Sequence, residues 1–188
     1  MSCQFELTVI CDNYAEEGLL SEHGLSFALR ADGKNILFDT GNGETLIHNA
    51  TKLGIDLADI SHLVLSHGHY DHTGGIGELL HHNQHCQIIA HPFVLTERYS
   101  LHPDKPSRRI SMPSKVLSAL QQTSASRLQF HVTPFRLSEK IGITGPEAVT
   151  SLGAMLQVQM KTVGSPDEAA NNLKNWFSKI GAEDTKKN

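Results

Sequence analysis

The sequence predicts an α/β fold, and three observations support that prediction. Short apolar or alternating segments, bounded by Gly, Pro, Asn and Asp, have the pattern of β-strands. Apolar residues at positions 46, 47, 50 and 53 recur at helical spacing between two of these segments. Polar side chains directly follow one strand, where α/β proteins usually carry functional groups. The strand-like segments are residues 5–11, 25–30, 35–38, 62–66 and 87–90.

The N-terminal strands are predicted to be antiparallel. Leu25, Phe27 and Leu29 alternate with small or polar residues, as expected of a strand with one buried face. Asp32-Gly33 then supplies a hairpin turn into the next strand. Gly54 is placed to end the helix that follows that strand.

The composition is that of an ordinary soluble protein. The 188 residues suffice for one domain, with or without an appendage, and for a sizeable core. The hydrophobic fraction is 39%, the charged fraction 19% and the formal net charge −4. Binding to a nucleic-acid backbone requires a basic excess, so nucleic acid is excluded as a partner unless it enters as a small substrate. Runs of about 18 apolar residues do not occur, so no membrane span is predicted.

The cysteines and the N-terminus indicate a cytoplasmic protein. Cys3, Cys11 and Cys86 are odd in number and far apart, which favours neither a disulfide framework nor a thiolate zinc site. We expect Cys11 and Cys86 to pack as small apolar residues, with a catalytic thiol as the alternative. The first 14 residues have no basic segment before their apolar run, which argues against a signal peptide.

Residues 66–75, Ser-His-Gly-His-Tyr-Asp-His-Thr-Gly-Gly, are the most informative segment. His67, His69, Asp71 and His72 offer imidazole and carboxylate donors, which suit zinc and also iron or manganese. The first two can point the same way from an extended strand end, and the last two can face a second ion after the chain turns. Two ions about 3.5–4 Å apart can activate water for hydrolysis. The alternative, a solvated histidine-rich loop, leaves the Asp and the glycines unexplained.

With the strand before it, this segment resembles the metallo-β-lactamase superfamily. The resemblance includes residues 37–41, Leu-Phe-Asp-Thr-Gly. Residues 22–26, Glu-His-Gly-Leu-Ser, are most similar to the branch of dihydropterin ribofuranosylaminobenzene phosphate synthase-like proteins. The likeness covers about residues 5–146, so we divide the chain into a metallo-β-lactamase-like region, 1–146, and a divergent tail, 147–188.

The resemblance implies an αββα sandwich fold and a role for each polar residue. It implies that His67 and His69 ligate one divalent metal and that Asp71 and His72 ligate another. Asp71 is also the implied catalytic residue, since it could orient or deprotonate a metal-bound water. Asp39 is implied to lie buried near the cluster and to orient a ligand. A turn-forming Asp is the alternative for this position.

The ligands that the family carries further along its chain find no match here. The family pattern includes a His in a Gly-Cys-Ser-His stretch, a bridging Asp and a last His, whereas this sequence has no His beyond His131. Two ions sharing four protein ligands would be under-coordinated. The sandwich is therefore expected to be incomplete in its second half. A truncated relative, a fused foreign end, and a homo-oligomer that completes the fold are all compatible with this pattern.

Two later segments carry further expectations. Residues 100–115, with three prolines and the Arg108-Arg109 pair, predict a surface loop or lid. The arginines either meet a substrate phosphate or carboxylate or are simply solvated. Residues 147–188 have the pattern of helix, strand and helix, and the capping box and apolar stripe of the last helix predict that it docks on the body or on a second copy of the chain.

Two functions from different classes remain open at this point. One is a metal-dependent hydrolase that acts on an ester, phosphoester or pterin-like small molecule. The other is a truncated, non-catalytic module for metal binding or assembly. A diiron redox protein of flavodiiron type is disfavoured, because a carboxylate is missing at the second ligand position.

Overall fold

The computed structural model describes residues 5–31, 33–133, 135–137 and 142–143. Their strands and helices are numbered here in chain order. The predictions for the tail, residues 147–188, lie outside the described residues. The strands are β1 Phe5–Cys11, β2 Ser26–Ala31, β3 Lys34–Phe38, β4 His62–Val64, β5 Gln87–Ala90, β6 Tyr99–His102, β7 Lys105–Arg109, β8 Leu128–Phe130, β9 Phe135–Arg136 and β10 Gly142–Ile143. The α-helices are α1 Leu46–Lys52, α2 Tyr70–Thr73, α3 Ile76–His82 and α4 Ser114–Gln122.

A six-stranded mixed sheet, in the order β1-β2-β3-β4-β5-β8, is the centre of the fold. Strands β1, β2 and β3 pair antiparallel, and β3, β4, β5 and β8 pair parallel. Helices connect the parallel strands, as parallel pairing requires a crossover. The α/β class predicted from the sequence is therefore confirmed.

The predicted antiparallel start is also confirmed. Ala31 pairs with Lys34 across the hairpin, and Gly33 has a φ of +70°, which glycine adopts without steric cost. Phe27 and Phe38 face each other across the two strands, with ring centroids 4.7 Å apart. This stacked pair fixes the register of the hairpin through side-chain packing.

The core lies between the sheet and helices α1, α3 and α4. Cys11 and Cys86 are buried within it, so the prediction that they pack as small apolar residues is confirmed. Burial, the largest influence, raises the pKa of the Cys11 thiol to about 12. A thiol in that environment stays protonated and is a poor nucleophile. The most deeply buried apolar side chains are Ile36, Leu37, Leu46, Leu63, Leu65, Ile76 and Leu79.

Parallel pairing of β3 with β4 brings two loops to one edge of the sheet. The loop after β3 begins at Asp39, whose N–H donates to the carbonyl of Val64 at 2.9 Å. Thr40 N donates to the carbonyl of His72 at 2.8 Å, so the second loop is bonded directly to the first. The two loops approach so closely at Gly74 that a Cβ there would overlap the carbonyl of Asn42. Glycine is therefore required at this contact.

The segment predicted as a surface loop, residues 100–115, contains regular secondary structure instead. It is on the surface, but β6 and β7 form an antiparallel hairpin in which His102 pairs with Lys105. Pro103 and Asp104 make its two-residue turn. The strands were missed because nearly all of their residues are exposed, so that they lack the alternation that marks a half-buried strand. Helix α4 then begins at Ser114.

Helices of the described residues are all short. None of them combines the length and the apolar character needed to cross a membrane. The longest, α4, has nine residues, against the roughly 20 that a membrane-spanning helix needs.

Candidate metal centre

The four predicted ligands lie on one short segment at the edge of the sheet. His67 and His69 are on the loop after β4, and Asp71 and His72 are on α2. Asp71 and His72 are buried, whereas the two other histidines are partly exposed. The His67 ring lies 4.3 Å from that of His69 and 4.2 Å from that of His72, measured between ring centroids. The local fold thus brings all four side chains together.

Their donor atoms form two neighbouring pairs. His67 Nε2 is 2.9 Å from His69 Nδ1, and Asp71 Oδ2 is 3.6 Å from His72 Nε2. Two atoms that each bond an ion at about 2.0–2.1 Å are about 2.9 Å apart at a right angle and about 3.4 Å apart at a tetrahedral angle. Both separations are therefore close to those of two ligands on one metal.

A set of three donors is not formed in the part of the chain that the structure describes. There, no group of three or more His, Cys, Asp or Glu side chains has a geometry that could hold a metal ion. The donor chemistry and pair distances fit a divalent metal, while the number of protein ligands for each ion is low. Zinc normally takes three or four protein ligands, depending on whether its site is catalytic or structural.

Asp39 and Ser66 orient two of the histidine rings. Asp39 Oδ2 is 2.7 Å from His72 Nδ1, and its carboxylate also accepts from the backbone N–H and the hydroxyl of Ser66. Ser66 Oγ is in turn 2.9 Å from His67 Nδ1. Because a carboxylate accepts, His72 donates from Nδ1, and Nε2 is the acceptor nitrogen of its neutral ring. The two contacts direct Nε2 of both rings toward the cluster.

The same residue makes a tight turn. Asp39 has a φ of +53°, which is uncommon for a residue other than glycine. Its side chain is completely buried. Asp39 thus both orients the ring of His72, a predicted ligand, and makes the turn, two roles that the sequence left as alternatives.

Burial and charge set the protonation of the cluster. Burial, followed by the neighbouring His72, lowers the pKa of His67 to about 3. Burial also lowers the pKa of His69. Burial on its own would lower the pKa of His72. The carboxylates of Asp39 and Asp71 raise this pKa by more, so the net pKa is raised. His67 and His69 are consequently neutral at physiological pH, the form in which imidazole binds metals.

Glu22 supports the loop after β3, a role that the sequence did not reveal. Its carboxylate accepts hydrogen bonds from four successive backbone N–H groups, at distances between 2.8 and 3.3 Å. Thr45, at the cap position of α1, makes no side-chain cap bond, and Glu22 binds its backbone N–H and those of the three residues before it from a distant part of the chain. Glu22 and the residues that it binds lie on separate loops. Only the resemblance of the Glu-His-Gly-Leu-Ser stretch, residues 22–26, therefore pointed to this position. The four donors are the N–H groups of Asn42, Gly43, Glu44 and Thr45.

The neighbouring His23 also reaches the cluster. Its Nε2 is 3.4 Å from Asp71 Oδ2, and its Nδ1 is 2.9 Å from Asn13 Oδ1. The side chain of His23 is 63% exposed, whereas that of Asp71 is 8% exposed. An exposed imidazole thus lies at the rim of the cluster, on the side of Asp71.

The two adjacent arginines of the hairpin have different surroundings. Arg109 bonds Glu97 Oε1 at 3.2 Å and the carbonyl of Met112, so its guanidinium holds the base of the hairpin. Arg108 donates to the hydroxyl of Tyr70 at 2.6 Å and lies 5.2 Å from the centre of its ring. Tyr70 is the residue between His69 and Asp71. Arg108 is therefore the one of these two arginines that contacts the segment carrying the predicted ligands.

Comparison with protein families identifies one match. The model of the metallo-beta-lactamase superfamily matches residues 22–146, which include all four predicted ligands and Asp39. That span is well over half of the chain.

Similar proteins have been found both by sequence and by structure. A 7,8-dihydropterin-6-methyl-4-(beta-D-ribofuranosyl)-aminobenzene-5'-phosphate synthase of Methanocaldococcus jannaschii is 37% identical over 90 residues, which are 45% of this chain and 31% of that protein. An uncharacterized protein of the same organism is 24% identical over 140 residues, 74% of this chain and 52% of that protein. The crystal structure of Tm1679, a metal-dependent hydrolase of the beta-lactamase superfamily, is 26% identical with a TM-score of 0.54. The match covers 73% of this chain and 46% of that one. The chain thus spans about a third to a half of the length of these relatives.

Proposed function

The chain belongs to the metallo-β-lactamase superfamily, and we propose that it is a metal-dependent hydrolase acting on an ester, phosphoester or pterin-like small molecule. The superfamily fold implies binding of a divalent metal. Zinc suits the donors best, with iron or manganese as alternatives, and one or two ions are expected. We propose His67 with His69 as one ligand pair and Asp71 with His72 as the other.

The pairing of donor atoms is the observation that carries this proposal. His67 Nε2 and His69 Nδ1 are separated as two ligands of one ion would be, and so are Asp71 Oδ2 and His72 Nε2. The Nδ1 atoms of His67 and His72 are bonded to the hydroxyl of Ser66 and the carboxylate of Asp39, and a purely structural cluster of histidines would not require these bonds. Ligating histidines usually make such bonds with the ring nitrogen that faces away from the metal.

The ion, Asp71 and Asp39 would each have a separate role in the proposed hydrolysis. A divalent ion at such a site supplies a water whose pKa is lowered toward about 7, so that a nucleophile is available at neutral pH. The proposed role of Asp71 is to orient this water or to accept its proton. Asp39 would keep His72 in the tautomer that presents Nε2 to the ion.

The proposed substrate class is inferred from residues at the rim of the site and from a relative of this chain. Arg108 extends from the hairpin to Tyr70, beside the ligands, and a guanidinium can bind a phosphate or carboxylate through two hydrogen bonds. One relative of this chain is named as a synthase of a dihydropterin phosphate compound. Both observations favour a small substrate with an anionic group. We expect such a substrate, and the enzyme, in the cytoplasm.

Metal content and hydrolysis, measured on the same preparation, test the proposal. Purified protein would be loaded with zinc, freed of excess metal and examined by elemental analysis and with chromogenic carboxylic and phosphate esters. We expect bound metal and hydrolysis that both disappear in a His67→Ala variant. A matched control is His85→Ala, because His85 is exposed and precedes β5 at the opposite edge of the sheet. Metal-independent hydrolysis, or no bound metal, would contradict the proposal.

A metal-binding or assembly module is the second candidate. It is favoured by the absence of a three-donor group among the described residues. One ion or less for each chain, with no hydrolysis of any ester, would support it. In that case a homo-oligomer is the expected assembly, because a second copy could supply the remaining contacts.

A further inference from the structure

Tyr70, the residue between His69 and Asp71, has a half-buried side chain whose hydroxyl accepts a hydrogen bond. Arg108 donates to this oxygen at 2.6 Å, and its guanidinium carbon lies 5.2 Å from the centre of the Tyr70 ring. Because a guanidinium has no acceptor, the hydrogen of the phenol cannot be donated to Arg108. Among the residues that the structure describes, this hydroxyl has no other hydrogen-bond partner. Its O–H is therefore available to a bound molecule.

Backbone hydrogen bonds hold Tyr70 and Arg108 in this relationship. The N–H of Tyr70 donates to the carbonyl of Ile110 at 3.0 Å, and the N–H of Met112 donates to the carbonyl of Gly68 at 2.7 Å. The base of the β6–β7 hairpin is thus bonded directly to the segment that carries the predicted ligands. Arg108 lies only two positions before Ile110. Groups that the fold already holds in place lose little freedom when they bind a ligand, so the pair is suited to recognition.

Tyr70 lies on the Asp71 side of the cluster. The ring centroids of Tyr70 and His23 are 6.3 Å apart, and His23 Nε2 is 3.4 Å from Asp71 Oδ2. Asp71 is the residue that orients the nucleophilic water in the proposed function. At this rim Tyr70 and Arg108 offer a ligand hydrogen-bond donors, namely the phenolic O–H and the guanidinium N–H groups that Tyr70 does not occupy. Neighbouring donors, one of them on a positively charged group, favour an anion such as a phosphate or carboxylate.

We infer that Tyr70 is a substrate-binding residue, whose hydroxyl donates a hydrogen bond to the anionic group that Arg108 also binds. This inference rests on the proposed hydrolase function, and it extends recognition of the anion from one residue to a pair. A phosphate or carboxylate group of the substrate would accept from the guanidinium and from the phenol at the same time. A hydrogen bond to a charged group is worth about tenfold or more in affinity. The competing role is purely structural, with Tyr70 only holding Arg108 in place.

Kinetics of the zinc-loaded full chain distinguish the two roles. Tyr70→Phe keeps the ring against which Arg108 lies and removes only the hydroxyl, and it would be made in the wild-type chain and in Arg108→Gln. The substrates are para-nitrophenyl phosphate, a para-nitrophenyl ester that bears a carboxylate, and the neutral para-nitrophenyl acetate. Tyr99→Phe is the matched control, because Tyr99 pairs with Arg109 and therefore lies on the opposite face of the hairpin from Arg108. Calorimetric titration with phenylphosphonate, which is not hydrolysed, adds a readout that needs no turnover.

We expect Tyr70→Phe to raise KM for at least one anionic ester about tenfold or more relative to KM for the neutral ester, both in the wild-type chain and in Arg108→Gln. Phenylphosphonate should bind about tenfold or more weakly to the same variant, and Tyr99→Phe should behave as the wild type does. Thermal unfolding and elemental analysis check that the variants fold alike and carry the same amount of zinc.

Two kinetic results would overturn the inference and leave the hydrolase proposal intact. One is an equal change in KM for the neutral and both anionic esters. The other is no effect of Tyr70→Phe in the Arg108→Gln chain, since Tyr70 would then act only by holding Arg108. Absence of hydrolysis by the wild type would overturn the hydrolase proposal, and the phosphonate titration would then decide the inference: equal binding by the wild type and Tyr70→Phe would overturn it.

Discussion

Asp39 and His72 form a deeply buried polar pair at the candidate metal centre. The carboxylate oxygen of Asp39 is 2.7 Å from His72 Nδ1, and the two side chains are 0% and 1% exposed. The carboxylate also accepts from Ser66, so a single residue joins the end of β3, the loop after β4 and helix α2. The position of His72 thus depends on a residue 33 positions earlier in the chain.

Replacing Asp39 by Asn should weaken both metal binding and folding. The amide keeps the shape but offers one acceptor oxygen in place of two, so either His72 or Ser66 loses its partner. We expect about 10–100-fold weaker zinc binding and a free energy of unfolding lower by about 1–3 kcal/mol, the cost of a buried group left without its hydrogen bond. Chelator competition and urea unfolding measure the two effects. Asp59→Asn is the control, because its side chain is exposed; a similar loss in both variants would refute a specific role for Asp39.

Much of this arrangement follows from local sequence patterns. The strands before the site and the antiparallel start were predicted correctly because alternation and turn residues are local signals. Glu22 and His23 were not assigned a role, since the N–H groups that Glu22 binds and the Asp71 carboxylate beside His23 lie 20 or more positions away and only the folded sheet brings them together. The hairpin of β6 and β7 was missed because exposed strands lack the apolar face by which a strand is recognised in a sequence.

Glu22 is predicted to be essential for the stability of the loop after β3. In Glu22→Ala, four backbone N–H groups of the loop before α1 lose a charged acceptor. Hydrogen bonds to charged groups contribute about 1.5–3 kcal/mol, and since the four bonds share one carboxylate we expect a total loss of about 2–3 kcal/mol. Urea unfolding measures it. Glu17→Ala, at an exposed position on the preceding loop, should change the free energy of unfolding by no more than about 0.5 kcal/mol.

Cys11 should resist alkylation in the folded protein and cost stability at high pH. Burial raises its pKa from 9.0 to about 12, so almost no thiolate exists at neutral pH. Below pH 9 the thiol is protonated in both the folded and the unfolded chain, so its ionisation does not affect stability. Between about pH 9 and 12 the unfolded chain ionises first, so the free energy of unfolding falls as pH rises. Iodoacetamide labelling with and without urea, read by mass spectrometry, measures the first effect; rapid labelling of Cys11 in the native protein would contradict it.

Arg108 is predicted to select anionic substrates, whereas Arg109 supports the hairpin. Arg108→Gln removes the guanidinium that lies on Tyr70, so KM for a phosphate or carboxylate ester should rise about 10-fold or more, in keeping with the roughly 1.5–3 kcal/mol of a charge-assisted hydrogen bond. KM for a neutral ester should change little. Arg30→Gln is the control, because Arg30 is an exposed arginine on β2. An equal rise in KM for neutral and anionic esters would exclude anion recognition by this residue.

Metal should be held weakly by the isolated chain. Each of the proposed pairs, His67 with His69 and Asp71 with His72, offers two protein ligands, whereas structural zinc sites use four. Dialysis of zinc-loaded protein against a chelator should therefore return the metal content, measured by elemental analysis, to that of a His67→Ala, Asp71→Asn double variant. Retention of zinc would mean that further donors exist. The mass in solution then identifies their source: retention by a dimer and loss on dilution to the monomer would assign them to a second copy of the chain, and retention by the monomer would assign them to this chain itself.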